Sequence, residues 1–325
     1  MAETADTDRG RMAARPGEIP RPGWRDILLR VKQEVGRDNL SIVAAGAAFY
    51  ALFALFPAVG ALVAIYGLFA SPESVQQHMQ MLETVMPEQA RTLLNQQLQR
   101  VVSSGSTALG IGALLGILIA LWSAAKGVKA LMTALNIVYE EEEKRGFFKL
   151  NLTALFLTFL VLAFVLIALA AIAVLPAIIG SLGLPAVAEG LARWLRWPLL
   201  ALVCVGILGL LYRYAASRAH PQWRWVLWGA AVATALWLIG SALFSWYVTN
   251  FGSYNETFGS VAAVAVLMMW FWLSAYFVLI GAELNAEMEH QTRRDTTTGK
   301  PKPLGSRRAH VADTIGESPG RDEGA

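Results

Sequence analysis

Two pairs of opposite charge stand beside long apolar stretches in this chain. Lys126 and Lys129 are about one helical turn apart, as are Glu283 and Glu287, so each pair shares a helix face. With Asn136 and Asn285 they make a constellation that could close a gate at the inner membrane face or clamp two helices there. An ionisable group at the bilayer centre would instead suggest a substrate path or proton relay. Counting about 1.5 Å per residue, Lys126 lies ~28 Å along a helix entering near Thr107, and Glu283 lies ~36 Å beyond Gly259. Both belong at the inner boundary, and no midplane carboxylate relay is expected.

Other chemistry has little to work with. His78, His220, His290 and His310 are scattered, without His-x-His or His-Glu-x-x-His spacing for a metal. No Gly-x-x-x-x-Gly-Lys-Ser/Thr loop is present to cradle a nucleotide phosphate. Glu140–Glu143 reads as a solvated helix end, and Cys204 is alone, which excludes an internal disulfide framework. No cofactor, metal or enzymatic activity is expected.

The elements that must position these residues are membrane spans. The 325 residues are 55% hydrophobic and 16% charged, against about 25% charged in a soluble domain. The deficit lies in blocks free of Lys, Arg, Asp and Glu: 40–70, 101–125, 150–188, 197–212, 225–251 and 257–282. A span needs roughly 20 apolar residues to cross ~30 Å of hydrocarbon. The expected fold is therefore all-α, with six transmembrane helices at about 40–70, 107–137, 150–180, 196–214, 225–251 and 257–283 in a membrane domain of 23–289. Lys and Arg follow the same pattern. Eight lie in the first 39 residues, three in each of the loops after spans two and four, and seven after Ala282. The alternate loops hold only Arg91, Arg100, Arg193 and Arg196. This 21-to-4 asymmetry predicts that both termini lie in the cytoplasm. It also explains the basic balance without nucleic-acid binding.

Between the spans, Trp24, Ile27, Leu28, Val31 and Val35 give one apolar face to a basic helix over 24–36. It is expected to lie on the bilayer surface, with Arg25, Arg30 and Lys32 meeting anionic lipid. Pro57 should kink span one and is a candidate hinge. Residues 71–106 read as an outer helical hairpin, started by Ser71-Pro72-Glu73 and Pro87-Glu88. Asn250, Gly252, Tyr254 and Asn255 form a tight polar outer turn between spans five and six. Trp194, Trp197, Trp223, Trp225, Trp228 and Trp246 are expected as interfacial anchors. Gly229 to Ala233 has small-xxx-small spacing for close helix approach. The polar tails, 1–22 and 290–325, read as disordered.

Four segments together carry a resemblance: Ala44–Pro57, Leu121–Leu131 leading to Ala134–Asn136, Asn250–Asn255, and Gly281–Glu287. From about Trp24 to Glu289 the chain resembles the YihY/virulence factor BrkB family, formerly labelled ribonuclease BN-like. The resemblance implies six spans and an inner-membrane location, with a poorly defined activity. RNA hydrolysis needs a metal cluster or a His/Lys acid–base arrangement in a solvated basic site. Neither pattern is present, so that activity is not expected. From Pro57, the Gly-rich packing and the inner charge cluster, the expected function is a transporter or permease for an unidentified small solute, ion or lipid. The alternative is a structural or envelope-assembly protein whose basic termini and outer hairpin recruit partners.

Overall fold

The computed structural model describes residues 9–69, 106–169, 171, 186–251 and 260–318. The predicted outer hairpin up to residue 105, and Gly252, Tyr254 and Asn255 of the outer turn, lie outside the described residues. Their regular elements are all helices, with one isolated antiparallel bridge between Pro221 and Thr297. A short 3-10 turn, Pro16–Glu18, precedes α1 (Arg21–Arg37), α2 (Leu40–Phe69), α3 (Ser106–Val138), α4 (Phe147–Leu169), α5 (Ala186–Tyr214), α6 (Trp223–Phe251), α7 (Ser260–His290) and the single turn α8 (His310–Asp313).

Each predicted span has a helix at its place. Among the described residues, four stretches are long and apolar enough to cross a membrane: Phe147–Val165, Trp194–Tyr214, Trp223–Asn250 and Val264–His290. A fifth arises if the bent pair Arg21–Arg37 and Leu40–Leu55 is one broken span. The bend there is 62°, and its cause is Asn39, whose φ of 50° is left-handed. Asn tolerates that region because its short side chain bonds locally, and here it donates to the Arg37 carbonyl. The Asn39 carbonyl then accepts the amides of Ile42 and Val43, which starts α2. Helix α2 continues through Pro57, the candidate hinge.

The chain divides into two compact units, Met1–Ala48 with Lys129–Ala325, and Phe49–Val128. In the second, the backbones of α2 and α3 approach at Tyr50 and Gly127. In the first, α7 is the hub, packing against α6, α1 and α8, while α5 lies between α6 and α4. The α6–α7 seam is close because it is made of glycine. A Cβ placed on Gly229 would sit 2.0 Å from the Gly281 carbonyl oxygen, and one on Gly281 would sit 2.5 Å from that of Gly229. Hydroxyls and indoles stitch α7 to its neighbours: Trp237 Nε1 of α6 donates to Ser274 Oγ at 3.0 Å, and Tyr212 OH of α5 donates to the Val278 carbonyl at 2.7 Å. These are the packing bonds expected of mild polar residues in a bundle.

Helix α1 does not lie free on its apolar face. Ile27 is fully buried against Met288, Leu284 and Trp225, with Ala13 and Ile19 of the preceding segment completing the cluster. Full burial contributes about 1.5–3 kcal/mol for each side chain the size of Ile27 or Met288. Trp225 is therefore a core residue, not an interfacial anchor, whereas Trp194, Trp197, Trp223, Trp228 and Trp246 are exposed.

The tails also depart from the disorder expected of them. Residues 9–20 and 291–318 fold together around the end of α7. Thr292 Oγ1 donates to the Ala13 carbonyl at 2.7 Å, and Gln291 Nε2 to that of Arg9 at 2.7 Å. Arg307 is buried and donates to the carbonyls of Arg293, Arg294, Lys302 and Ala312. Polar, Pro-containing composition hid this order because side chain-to-backbone bonds hold the segments, not an apolar period.

The α6–α7 seam is testable. Gly229→Ala overpacks it and is expected to cost about 1–3 kcal/mol or more, read as a fall in melting temperature in detergent. Gly206→Ala in α5, where an added Cβ meets nothing within 4 Å, should leave it unchanged.

Candidate functional site at the polar end of the last helix

From Glu283 onward α7 turns polar and yet stays buried. Glu283, Asn285, Glu287, Glu289 and His290 are all at most 7% exposed. Charges so placed must be matched, because an unpaired buried ion is very costly. Glu289 accepts from Arg218 Nη2 at 2.6 Å and from Thr296 Oγ1 at 2.6 Å. Both side chains of the Arg218–Glu289 pair are 0% exposed. The Arg218 guanidinium also lies 4.0 Å over the Tyr139 ring, a desolvated cation–π contact. Burial pushes the Arg218 pKa down, but the charge of Glu289 and its hydrogen bond outweigh it and hold the guanidinium charged.

Glu287 is bound by Arg30 Nε, and its other oxygen faces His290 Nδ1 at 3.1 Å. Arg30 Nη2 reaches the Glu287 carbonyl and Gln291 Oε1, and its Nη1 reaches the Glu317 carbonyl. Arg30 is therefore a buried bridge between α1, α7 and the C-terminal segment, and it does not meet lipid as expected. Arg25 and Lys32, on the same helix, are exposed.

The two asparagines are clasps. Asn285 Oδ1 accepts the Gly229 amide at 2.8 Å, and its Nδ2 donates to the Val226 carbonyl at 3.2 Å, tying α7 to the first turns of α6. Asn136 Oδ1 accepts the Ser217 amide at 2.8 Å, and its Nδ2 donates to Glu143 at 3.2 Å. Asn136 thus joins the end of α3 to the loop that carries Arg218. Helix α3 ends there because Glu140 is left-handed, with a φ of 50°. The Glu141 amide bonds Asn136 O and the Glu140 amide bonds Ile137 O, a Schellman closure.

Glu140–Glu143 is not a uniformly solvated end. The Glu141 side chain is 1% exposed, pairs with Lys144, and accepts the His310 amide that starts α8. Burial pushes the Glu143 carboxyl up, but the Arg145 guanidinium and amide, with Asn136, bring it down to about 2.

The lysines part company. Lys129 donates to Asn151 of α4, and Lys126 is exposed in the second unit. Asn250 is exposed at the end of α6, with its Nδ2 on the Trp246 carbonyl. The cluster thus unites Asn136, Asn285 and Glu287 with Arg30, which was expected at the lipid surface, and with three residues not singled out as site candidates: Tyr139, Arg218 and Glu289. Their only signal was position, at helix ends flanking apolar blocks.

Some of this polar core is unsatisfied. Tyr139 OH, Arg218 Nε and Nη1, and Glu283 Oε2 are buried without a hydrogen-bond partner among the described residues. Burial also raises the Tyr139 pKa, keeping the phenol protonated. Three donors and one acceptor at the end of a bundle can hold water or a polar solute. Among the described residues no group of three or more His, Cys, Asp or Glu could hold a metal ion.

The central ion pair has a direct test. Arg218→Met strands Glu289 and is expected to cost about 3–5 kcal/mol, measured by unfolding in detergent. Adding Glu289→Leu should restore most of that loss; equal or additive losses would contradict the pairing.

Residues 31–304 match the model of the family described as virulence factor BrkB. A ribonuclease-like protein of Bacillus subtilis, YfkH, is 33% identical over 258 residues, which span 74% of this chain and 86% of that protein. A UPF0761 membrane protein of Photobacterium profundum is 27% identical over 284 residues, 84% of each chain. Another, of Idiomarina loihiensis, is 26% identical over 275 residues, 79% of this chain and 88% of its own. No solved structure matches the chain. The matched segment contains α2 to α7, with Arg218 and Glu289 inside it, and on that extent the chain belongs to the virulence factor BrkB family of membrane proteins.

Proposed function

We propose that the chain is a six-span inner-membrane transporter or permease with both termini in the cytoplasm, which moves a small solute, ion or lipid by rearranging its helices. Helices α2 and α3, with 30 and 33 residues, support the six-span count, because roughly 20 residues suffice for a crossing. The Lys and Arg asymmetry supports the orientation.

The observation that carries the reading is the unsatisfied polar set at the end of α7. A polar core built only to hold helices together satisfies its buried groups. Here Glu283 Oε2, Tyr139 OH and two nitrogens of Arg218 remain open. Ionisable residues at the end of a span, facing the bundle interior, mark pathways more often than packing. Pro57 supplies a weak point in α2 at which a helix can bend.

Flux assays in proteoliposomes, run over a panel of inorganic ions, metabolites and labelled lipids, test this. One panel member should cross, and Glu283→Gln or Tyr139→Phe should slow it by at least roughly tenfold, the scale of one lost charged hydrogen bond, with little change in melting temperature. No flux for any member, or equal flux through both variants, would overturn transport and favour the structural, envelope-assembly role.

A further inference from the structure

A second polar feature of the first unit adjoins the α7 cluster at Arg218 and opens outward. It is a cleft of about 950 Å³ at the start of α4 and the end of α5. Its wall carries Lys144, Arg145, Lys149, Arg218, Lys302 and Arg308 with His220, and no acidic side chain. Lys144 and Arg145 are spoken for by Glu141 and Glu143. Lys149, Lys302 and Arg308 are exposed, and their side chains have no ion-pair or hydrogen-bond partner among the described residues. At the same wall sits Arg218, whose side chain is fully buried and keeps Nε and Nη1 unpartnered. Several uncompensated cations converging on one hollow form a field that draws an anion.

The backbone adds to that field. Helix α4 begins beside Gly146, which lines the cleft, and carries no acidic residue in its first turn. Its amide end, equivalent to about half a positive charge, is thus left for an outside anion. Burial, with a smaller contribution from the charges of Arg213, Lys149 and Arg218, holds the His220 pKa below its ordinary value.

The other wall is apolar. Leu152 and Phe156 of α4 line the cleft and remain exposed, one and two turns into a helix apolar enough to span a membrane. They lie ~8 and ~14 Å along the axis from Phe147, so the hollow runs from a cationic mouth onto lipid-facing surface. A soluble phosphate would use the mouth alone. A ligand with a phosphate head and an acyl body uses both walls.

We infer that this cleft binds the phosphate headgroup of an acidic phospholipid at the membrane surface on which both chain ends fold. The inference requires that the chain be embedded in a membrane and does not require that it transport anything. The lipid is held by Lys149, Lys302 and Arg308 at the mouth, with Leu152 and Phe156 against its acyl chain. The site is separate from the surface of α1 that carries Arg25 and Lys32.

Native mass spectrometry of the full-length protein, titrated with phosphatidylglycerol, phosphatidylcholine or inorganic phosphate, tests it. Phosphatidylglycerol should bind saturably and in preference to phosphatidylcholine. The triple variant Lys149→Gln, Lys302→Gln, Arg308→Gln should weaken it on the order of a hundredfold, at roughly fivefold per cation. Arg25→Gln with Lys32→Gln should leave it unchanged, and Lys149→Arg with Lys302→Arg should retain it. Equal binding of phosphatidylcholine, or an equal loss in the Arg25 and Lys32 variant, would mean diffuse attraction and overturn the site. Inorganic phosphate binding as tightly as the lipid would overturn the lipid as occupant. Should the triple variant melt early, Arg308→Gln alone must show its fivefold loss.

Discussion

A carboxylate removed from water has to meet a cation or lose its charge, and α7 buries several carboxylates within its last two turns. Glu289 meets Arg218, and Glu287 meets Arg30. Each cation comes from a different part of the chain, one from the loop after α5 and the other from α1. Matching these charges therefore dictates where α1 and that loop must sit. Such pairs add little net stability compared with an apolar core, but they permit few alternative arrangements. The tails follow from the same need, since Arg30 also binds the Glu317 carbonyl and Gln291, and His290 lies 2.8 Å from Thr314 Oγ1.

Above this polar plug the bundle obeys a different rule. Lipid tails are as apolar as leucine, so helices associate there through close packing and hydrogen bonds instead of hydrophobic burial. The Gly229–Gly281 contact supplies the packing, and the indole and hydroxyl bonds supply the rest. Asn285 joins the two regimes. It lies one turn past Gly281 and clasps the Gly229 amide, so the glycine seam and the polar plug share a residue pair.

How much of this the sequence showed depends on the range of the signal. Helix positions were legible because uncharged runs report local composition, and each of α2 to α7 overlaps such a run, although α3 continues to Val138 and α5 begins at Ala186. Gly229 and Ala233 were legible as small residues at one-turn spacing, and both do face Gly281. Asn136, Asn285 and Glu287 were legible as polar residues at apolar boundaries. Their partners were not, because Arg218 and Glu289 are 71 residues apart and Arg30 and Glu287 are 257 apart, and a single sequence carries no mark of such pairings. The same limit misplaced Trp225 and Arg30. A tryptophan at a span end and an arginine on a surface-like helix look the same locally whether they face lipid or a partner.

The tails show why composition fails in one direction. Few apolar residues means a segment cannot build its own core, but it can still order on a core that already exists. Ala13, Ile19, Val311 and Ala312 are each buried, and Thr292, Arg307 and Gln291 supply bonds to carbonyls that would otherwise need water. The folded ends then enclose the polar plug on its solvent side. That enclosure makes the open valences of Glu283, Tyr139 and Arg218 costly, since water reaches them less freely than at a bare helix end. The surrounding ion pairs, Arg218 to Glu289 and Arg30 to Glu287, hold these groups in place against that cost. The Arg218 side chain is 0% exposed and paired with Glu289, so the charge that the basic cleft presents to solvent comes from Lys149, Lys302 and Arg308.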